Sequence, residues 1–305
     1  NTQAASMTLE IAYADFCTAE VAAHTGRTPD EATFRARAQN FRNQWNPAYF
    51  ARLKDFVGQA VRRDIVVEVT LFSHPYTELL WRLFPFHKDS NVNGVGSRIT
   101  DLRQFMEQHD STVIEYQKRF VRKMVEDLNE FDNLYYEICN EPAASFRGST
   151  PEQADRVISW QLAMCNVIRE TEEKLPKRHL IAINADQRIL SYVEDANRFV
   201  ELGDRQLFDD PRVDIINYHS IMSRQPGKGI AVRLQDHSGA ASGNIQTFLR
   251  SRAHVAKPIV YDENWAGIVR GAPDNWIRNR MEAWETILCG GSGYVHLDWS
   301  FSPQD

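Results

Sequence analysis

The chain has 305 residues, of which 43% are hydrophobic, so it is long enough to bury a large core as one domain. Its net charge of -6 comes from 41 acidic and 35 basic residues, and the two signs are interspersed along the chain. The sequence contains no block of basic residues that would follow a phosphate backbone and no apolar run of roughly 18 residues that would span a membrane. These features argue against nucleic-acid and membrane partners, and they leave the oligomeric state open.

Cysteine usage gives no disulfide framework. The four cysteines are far apart and lack Cys-x-x-Cys spacing, and we interpret them as buried free thiols: Cys17, Cys139, Cys165 and Cys289. The chain begins at Asn1 without a charged and then apolar leader, which fits a processed, trimmed or incomplete chain and leaves the compartment open.

The first 45 residues carry weak signals, with a short strand at 7–13 and a charged helix at 29–41 as the interpretation. From there the pattern sharpens. Asn46 is an N-cap and Pro47 takes the first helical position, which predicts a helix over 47–62. A mostly apolar segment over 64–72 then predicts a parallel strand that is covered on both faces.

A long connection over 73–110 follows, rich in Pro, His, Trp and Asn. Because so long a loop in a compact domain is usually functional, we expect it to fold over the substrate cleft. Apolar residues spaced by three and four predict a helix over 116–131. An apolar strand from Asn133 ends at Asn140 and Glu141, since Pro142 cannot continue it.

Strands and helices keep alternating in the second half of the chain. Thr150, Pro151 and Gln153 form a capping box that opens a helix to about residue 175. The further strands are predicted at 179–184, 213–218, 257–264 and 294–299, and the further helices at 189–202, 243–255 and 274–289.

This alternation predicts βαβ units and a parallel sheet, and we interpret the chain as a single α/β domain over 1–305, a (β/α)8 TIM barrel. Six strands are readable, so the first two lie in or before residues 1–15 or are missing from the chain. A doubly wound open sheet is the alternative, although no Gly-rich phosphate loop follows a strand.

Two carboxylates occupy strand ends. Glu141 and Glu263 each close an apolar strand and stand roughly one hundred residues apart, and in a parallel barrel both belong at the C-terminal mouth. Two such groups are the minimum machinery for cleaving a glycosidic bond. Asp262 competes with Glu263, since strand alternation sends one of them inward. Glu137 lies four residues before Glu141 in the same strand, and it is expected to form a buried ion pair.

Other polar and aromatic residues fall at the same rim. His74 and His219 follow apolar strands, where they would bind sugar hydroxyls or serve structurally, and Tyr218 could contact the nucleophile. Flat tryptophan rings stack on sugars. Trp81, Trp265 and Trp299 lie in loops or at strand ends, as does Trp45, whereas Trp160, Trp276 and Trp284 lie on helical patterns and are predicted to be core.

Four strand ends together resemble those of clan A glycoside hydrolases, most similarly the cellulase-like members of family 5 and their unclassified relatives. They are Tyr136-Glu-Ile-Cys-Asn140-Glu141-Pro142, Asn217-Tyr218-His219, Tyr261-Asp-Glu263-Asn264 and Leu297-Asp298-Trp299-Ser-Phe. The resemblance covers about residues 45–302. It implies a retaining mechanism with Glu141 as acid/base and Glu263 as nucleophile. The family's arginine at the second strand end has no assigned counterpart.

The sequence therefore predicts a retaining glycoside hydrolase for β-linked glucan-like or mannan-like carbohydrate. Its carboxyl groups should lie ~5 Å apart, with Asn140 as a positioning residue. No cofactor is expected, and no metal-ligand spacing occurs. The substrate class favours a secreted or periplasmic location. One alternative is a non-catalytic carbohydrate-binding barrel. A barrel for phosphorylated substrates fits less well, because Gly290, Gly291 and Gly293 precede the last strand.

Overall fold

The structure is a computed structural model. It describes residues 25–31, 47–75, 77–84, 86–90, 95–142, 151–184, 190–192, 199–201, 204–219, 249–250, 253–263 and 275–295. The chain divides into two compact units. The first comprises Asn1–Ala143 with Ser159–His179, and the second comprises Ala144–Ile158 with Leu180–Asp305.

Two parallel strands form the sheet of the first unit. Strand β1 (Val67–Ser73) pairs with β2 (Leu134–Asn140) in a register that runs from Val67 opposite Leu134 to Ser73 opposite Asn140. The other elements are helices α1 (Pro47–Val61), α2 (Glu78–Leu83) and α3 (Ser111–Leu128), and a 3-10 helix (Leu102–Met106). Helix α4 (Pro151–Glu172) contributes its residues from Ser159 onward to this unit. The predicted helices at 47–62 and from residue 151 are confirmed.

Helix α3 starts earlier than residue 116, where the prediction placed it. The carboxylate of Asp110 accepts hydrogen bonds from the backbone amides of Thr112 at 2.8 Å and Val113 at 3.4 Å. These amides have no partner within a helix, so the side chain of Asp110 fixes the start of α3.

A buried glutamine connects three helical elements of the first unit. The indole N–H of Trp160 on α4 donates to the Gln117 side-chain oxygen on α3 at 2.9 Å. The Gln117 amide nitrogen then donates to the Phe105 carbonyl of the 3-10 helix, also at 2.9 Å. All three residues are buried, so these bonds satisfy polar groups that water does not reach. The prediction that Trp160 is core is confirmed.

Four parallel strands organise the second unit. They are β3 (Ile181–Asn184), β6 (Ile215–His219), β7 (Ile259–Glu263) and β8 (Gly293–Tyr294), with β6 beside β3, β7 beside β6 and β8 beside β7. Helix α6 (Asn275–Leu288) confirms the helix predicted at 274–289. With β1 and β2, the described residues contain six parallel strands, the number that the sequence predicted.

The helix predicted over 189–202 is wrong. Strands β4 (Leu190–Tyr192) and β5 (Phe199–Glu201) pair antiparallel there, and a short helix α5 (Asp204–Asp209) follows them. Tyr192 lies opposite Phe199 and Ser191 lies opposite Val200. Aromatic and β-branched residues favour strands, and this preference outweighs the helical spacing of the apolar residues.

Helix α6 turns a different face inward than its apolar pattern predicted. Trp284, predicted to be core, is 62% exposed, and Met281 and Leu288 are also exposed. Thr286 is fully buried instead. Its carbonyl accepts from the Gly291 amide at 2.7 Å. This bond joins the last turn of α6 to the segment that precedes β8.

Several predictions fall on residues that the structure does not describe. They are the two early strands, most of the helix at 243–255 and most of the strand at 294–299. Of the four cysteines, Cys17 is also in this group, whereas Cys139, Cys165 and Cys289 are free thiols, the first two buried. Among the described helices, none is long and apolar enough to cross a membrane.

Candidate active site

Two adjacent strand ends bring His74 and Glu141 to one edge of the first unit. Ser73 and Asn140 are the last residues of β1 and β2, and they are register partners. His74 directly follows Ser73 in the sequence, and Glu141 directly follows Asn140. Because the two strands are parallel, both residues leave the sheet at its C-terminal edge, where barrel enzymes place their chemistry.

The backbone of Glu141 is left-handed, with a φ angle of 44°. L-residues other than glycine rarely adopt this conformation, which costs about 1–2 kcal/mol. Such strained positions cluster at functional sites, where the surrounding structure holds them. The conformation bends the chain directly after β2, so that the glutamate stands at the bend.

His74 is only 2% exposed and is electrostatically coupled to Glu141. Burial is the largest influence and lowers the pKa of His74 to about 4, against the attraction of Glu141, which raises it. Arg103 lowers the pKa further and Asp101 raises it. His74 is therefore a neutral imidazole near pH 7, able to donate one hydrogen bond and accept another.

Asp101 and Arg103 are neighbours of His74 that the sequence analysis did not identify. One carboxylate oxygen of Asp101 accepts from the Arg103 amide at 2.9 Å and from its Nε at 2.8 Å, and the other oxygen pairs with a terminal guanidinium nitrogen. Asp101 and Gln104 also form a capping box for the 3-10 helix. The Asp-x-x-Gln spacing was the available sequence signal.

This ion pair belongs to the long connection between β1 and α3. Residues 101–103 of the connection act on His74, which leaves the end of β1. The prediction that the whole connection over 73–110 forms part of a substrate cleft stays a prediction.

The remaining polar residues of β2 differ in their surroundings. Glu137 is buried, and its carboxylate accepts a hydrogen bond of 2.8 Å from the Thr70 hydroxyl, directly across on β1. The ion pair predicted for Glu137 stays a prediction. Asn140 is half-buried at the strand end, and its role as a positioning residue stays a prediction.

In the second unit, a β-bulge precedes Glu263. Tyr218 on β6 is the register partner of Tyr261 on β7, but the next residue, His219, pairs with Glu263. Asp262 is therefore the extra residue of β7. A bulge bends the strand and redirects its side chains, and bulges are frequent next to active sites. Strict alternation does not decide between Asp262 and Glu263 here, and the side chains of His219 and Glu263 are not described.

Tyr218 is fully buried and stacks on Tyr261, with ring centroids 4.8 Å apart and planes within 9°. Burial is the main reason that its pKa is raised. The predicted contact between Tyr218 and the nucleophile stays a prediction.

Trp81 is 1% exposed, and its ring contacts those of Phe84, His87 and Phe105 at centroid distances of 5.8, 5.6 and 6.2 Å. Stacking on a sugar requires an exposed ring face, which Trp81 does not present. The aromatic residues that bury it were visible in the sequence, but their packing was not. Trp265 and Trp299 lie outside the described part of the chain, so their predicted sugar contacts are untested.

Comparison with known proteins gives a partial sequence match. The pattern of the Glycosyl hydrolase family 92 catalytic domain matches residues 1–145, which is less than half of the chain. Family 92 differs from family 5, which the strand ends resemble, and a match of this extent does not assign the chain. No curated protein matches the sequence.

Solved structures give a broader match. An endo-1,4-β-D-mannanase from Thermotoga petrophila superimposes with a TM-score of 0.57 at 16% identity, over 82% of this chain and 68% of that protein. An endo-1,4-β-mannanase from Rhizomucor miehei superimposes with a TM-score of 0.55 at 14% identity, over 84% of this chain and 70% of that protein. A GH5-4 broad specificity endoglucanase from Clostridium cellulovorans superimposes with a TM-score of 0.52 at 15% identity, over 84% of this chain and 68% of that protein.

These similarities establish the fold. The (β/α)8 barrel predicted from the alternating pattern is confirmed, and the predicted resemblance to clan A is confirmed as a likeness of fold.

Proposed function

We propose that the chain is a retaining glycoside hydrolase that cleaves β-linked glucan-like or mannan-like carbohydrate by double displacement. The observation that carries this proposal is Glu141, which follows β2 with a left-handed backbone and interacts with the buried His74. The mannanases and endoglucanase of the same fold support the choice of substrate class.

In this mechanism Glu141 protonates the leaving oxygen while Glu263 attacks the anomeric carbon, and Glu141 then activates water to release the sugar. A general acid must carry its proton at the start. A protonated histidine beside Glu141 would hold the carboxylate ionised. Because burial keeps His74 neutral, it does not oppose protonation of Glu141.

Glu263 is the proposed nucleophile because it is the last residue of β7, directly after the bulge at Asp262. In the proposed retaining geometry, its negative charge would favour the protonated form of Glu141. Once the glycosyl-enzyme forms, that charge is consumed, and Glu141 can accept a proton from water. The two carboxyl groups suffice for both steps, so the mechanism needs no metal.

Sugar recognition is assigned to polar and aromatic residues that follow the strands. Asn140 adjoins Glu141 and would position the substrate through its amide. His74 is close enough to act on Glu141 electrostatically and has hydrogen-bonding capacity. His219, Trp265 and Trp299 complete the proposed sugar contacts on the basis of their sequence positions.

The test is hydrolysis of a panel of β-1,4-mannan, β-1,4-glucan and aryl β-glycosides. The wild-type chain should release reducing ends from at least one β-linked glucan or mannan. Glu141→Gln should lower kcat/KM on the natural substrate by about 10²–10⁴-fold, because general acid catalysis is lost. Glu115→Gln is a matched control, since Glu115 is exposed on α3 and pairs only at the surface with Lys118. Binding without hydrolysis across the panel would instead favour a non-catalytic carbohydrate-binding barrel.

A further inference from the structure

The ring of His179 is buried in the first unit, and both its nitrogens face oxygen atoms. Nδ1 lies 2.7 Å from a carboxylate oxygen of Glu172, at the end of α4. Nε2 lies 2.7 Å from the carbonyl oxygen of Phe131, in the turn after α3. These contacts connect the ends of two helices through one imidazole.

The partners define the protonation state of the ring. A carbonyl oxygen can only accept, so Nε2 carries a hydrogen. The same Glu172 oxygen also accepts from the His179 amide at 3.0 Å, and its other oxygen lies 3.3 Å from the Arg169 guanidinium. Both contacts favour an ionised Glu172, which can only accept. Nδ1 must then carry a hydrogen as well, and the ring is an imidazolium.

The other groups around the ring are compatible with that charge. Arg169 donates to the His179 carbonyl at 2.7 Å. The Tyr136 ring of β2 packs edge-to-face with the imidazole at 5.4 Å, and burial raises the pKa of Tyr136, so it stays neutral. Asp132 adds attraction from the turn after α3, where it pairs with Lys177 at 2.6 Å.

We propose that His179 is a pH-sensitive clamp that fastens the end of α4 to the turn after α3 only while both ring nitrogens are protonated. Loss of either ring proton would leave a lone pair facing an acceptor oxygen at 2.7 Å, on the Glu172 carboxylate or on the Phe131 carbonyl, so attraction would become repulsion. The clamp is independent of the proposed glycosidase activity, because it involves none of the residues assigned to catalysis or sugar binding.

The direction of the pH effect follows from the balance at His179. Burial lowers its pKa, but the hydrogen bonds to Glu172 and Phe131, with the attraction of Glu172 and Asp132, outweigh burial and raise it above the ordinary 6.5. A raised pKa stabilises the folded chain fully below the pKa of the unfolded state. That stabilisation is lost as the pH rises through the folded value.

The test compares melting temperatures of the whole chain between pH 6 and pH 9.5. The wild type should lose stability towards alkaline pH. His179→Gln cannot change its charge, so it should melt lower at pH 6 and show a flatter pH dependence. His109→Gln is the matched control, since His109 is exposed, and it should follow the wild type. Parallel wild-type and His179→Gln curves would overturn the clamp.

A second measurement holds even if His179→Gln does not fold. In ¹⁵N spectra of the wild-type side chains, one imidazole should remain doubly protonated above pH 7.5, and Glu172→Gln should move its titration to lower pH. A spectrum in which every histidine is already neutral at pH 7.5 would overturn the proposal.

Discussion

Gln117 provides a quantitative test of how the first unit is held together. Gln117→Met keeps the side-chain volume similar but removes both hydrogen bonds of the buried amide. The Trp160 N–H and the Phe105 carbonyl would then be buried without partners. Each such group costs about 1–3 kcal/mol, so the expected loss in the free energy of unfolding is about 2–6 kcal/mol.

The matched control is Gln161, which is also fully buried on α4 but whose amide meets no hydrogen-bond partner among the described residues. Gln161→Met should leave stability unchanged or raise it, because an unsatisfied polar group is replaced by an apolar one. Urea unfolding followed by circular dichroism gives both values. With an m value of about 3 kcal/mol per M, a loss of about 3 kcal/mol moves the midpoint by about 1 M. Equal losses in both variants would refute the hydrogen-bond explanation.

Two further predictions concern the segment around the end of β1. A Cβ at Gly96 would clash with the Phe86 carbonyl oxygen, and the φ of 78° adds strain, so Gly96→Ala should cost about 2–4 kcal/mol. Gly290 has a φ of 98° and nothing within 4 Å of such a Cβ, so Gly290→Ala should cost about 1 kcal/mol. Similar losses of stability in the two variants would show that a side chain at Gly96 does not clash with Phe86. The pKa of His74, lowered to about 4, makes the folded state lose stability as the pH falls from about 6.5 towards 4. His74→Gln should flatten this acid dependence of the melting temperature, and an unchanged slope would contradict it.

The sequence predicted the fold well where a local signal decides the structure. Pro47 marked the start of α1, and Pro142 marked the point where β2 must end. The alternation of apolar strands and amphipathic helices was enough to predict parallel pairing. Asp110 could have been recognised as the cap of α3, since aspartate is a preferred N-cap residue.

The failures arise where packing outweighs local pattern. Trp81 and Trp284 exchange their predicted environments, since a cluster of aromatic rings buries Trp81 while α6 buries Thr286 and leaves Trp284 exposed. Spacing alone did not reveal the pair formed by β4 and β5. Neither the bulge at Asp262 nor the left-handed Glu141 has a composition signal, because each depends on how neighbouring strands end.

The most direct test of the central claim is the configuration of the product that azide forms with the two glutamate variants. Glu263→Ala lacks the nucleophile, so azide should attack the substrate directly and yield a glycosyl azide of inverted configuration. Glu141→Ala should still form the glycosyl-enzyme from an activated aryl glycoside, and azide should release it with retained configuration. Opposite configurations from the two variants are the predicted result. Near-normal activity of both variants on a natural substrate, without azide, would contradict the assignment of this site.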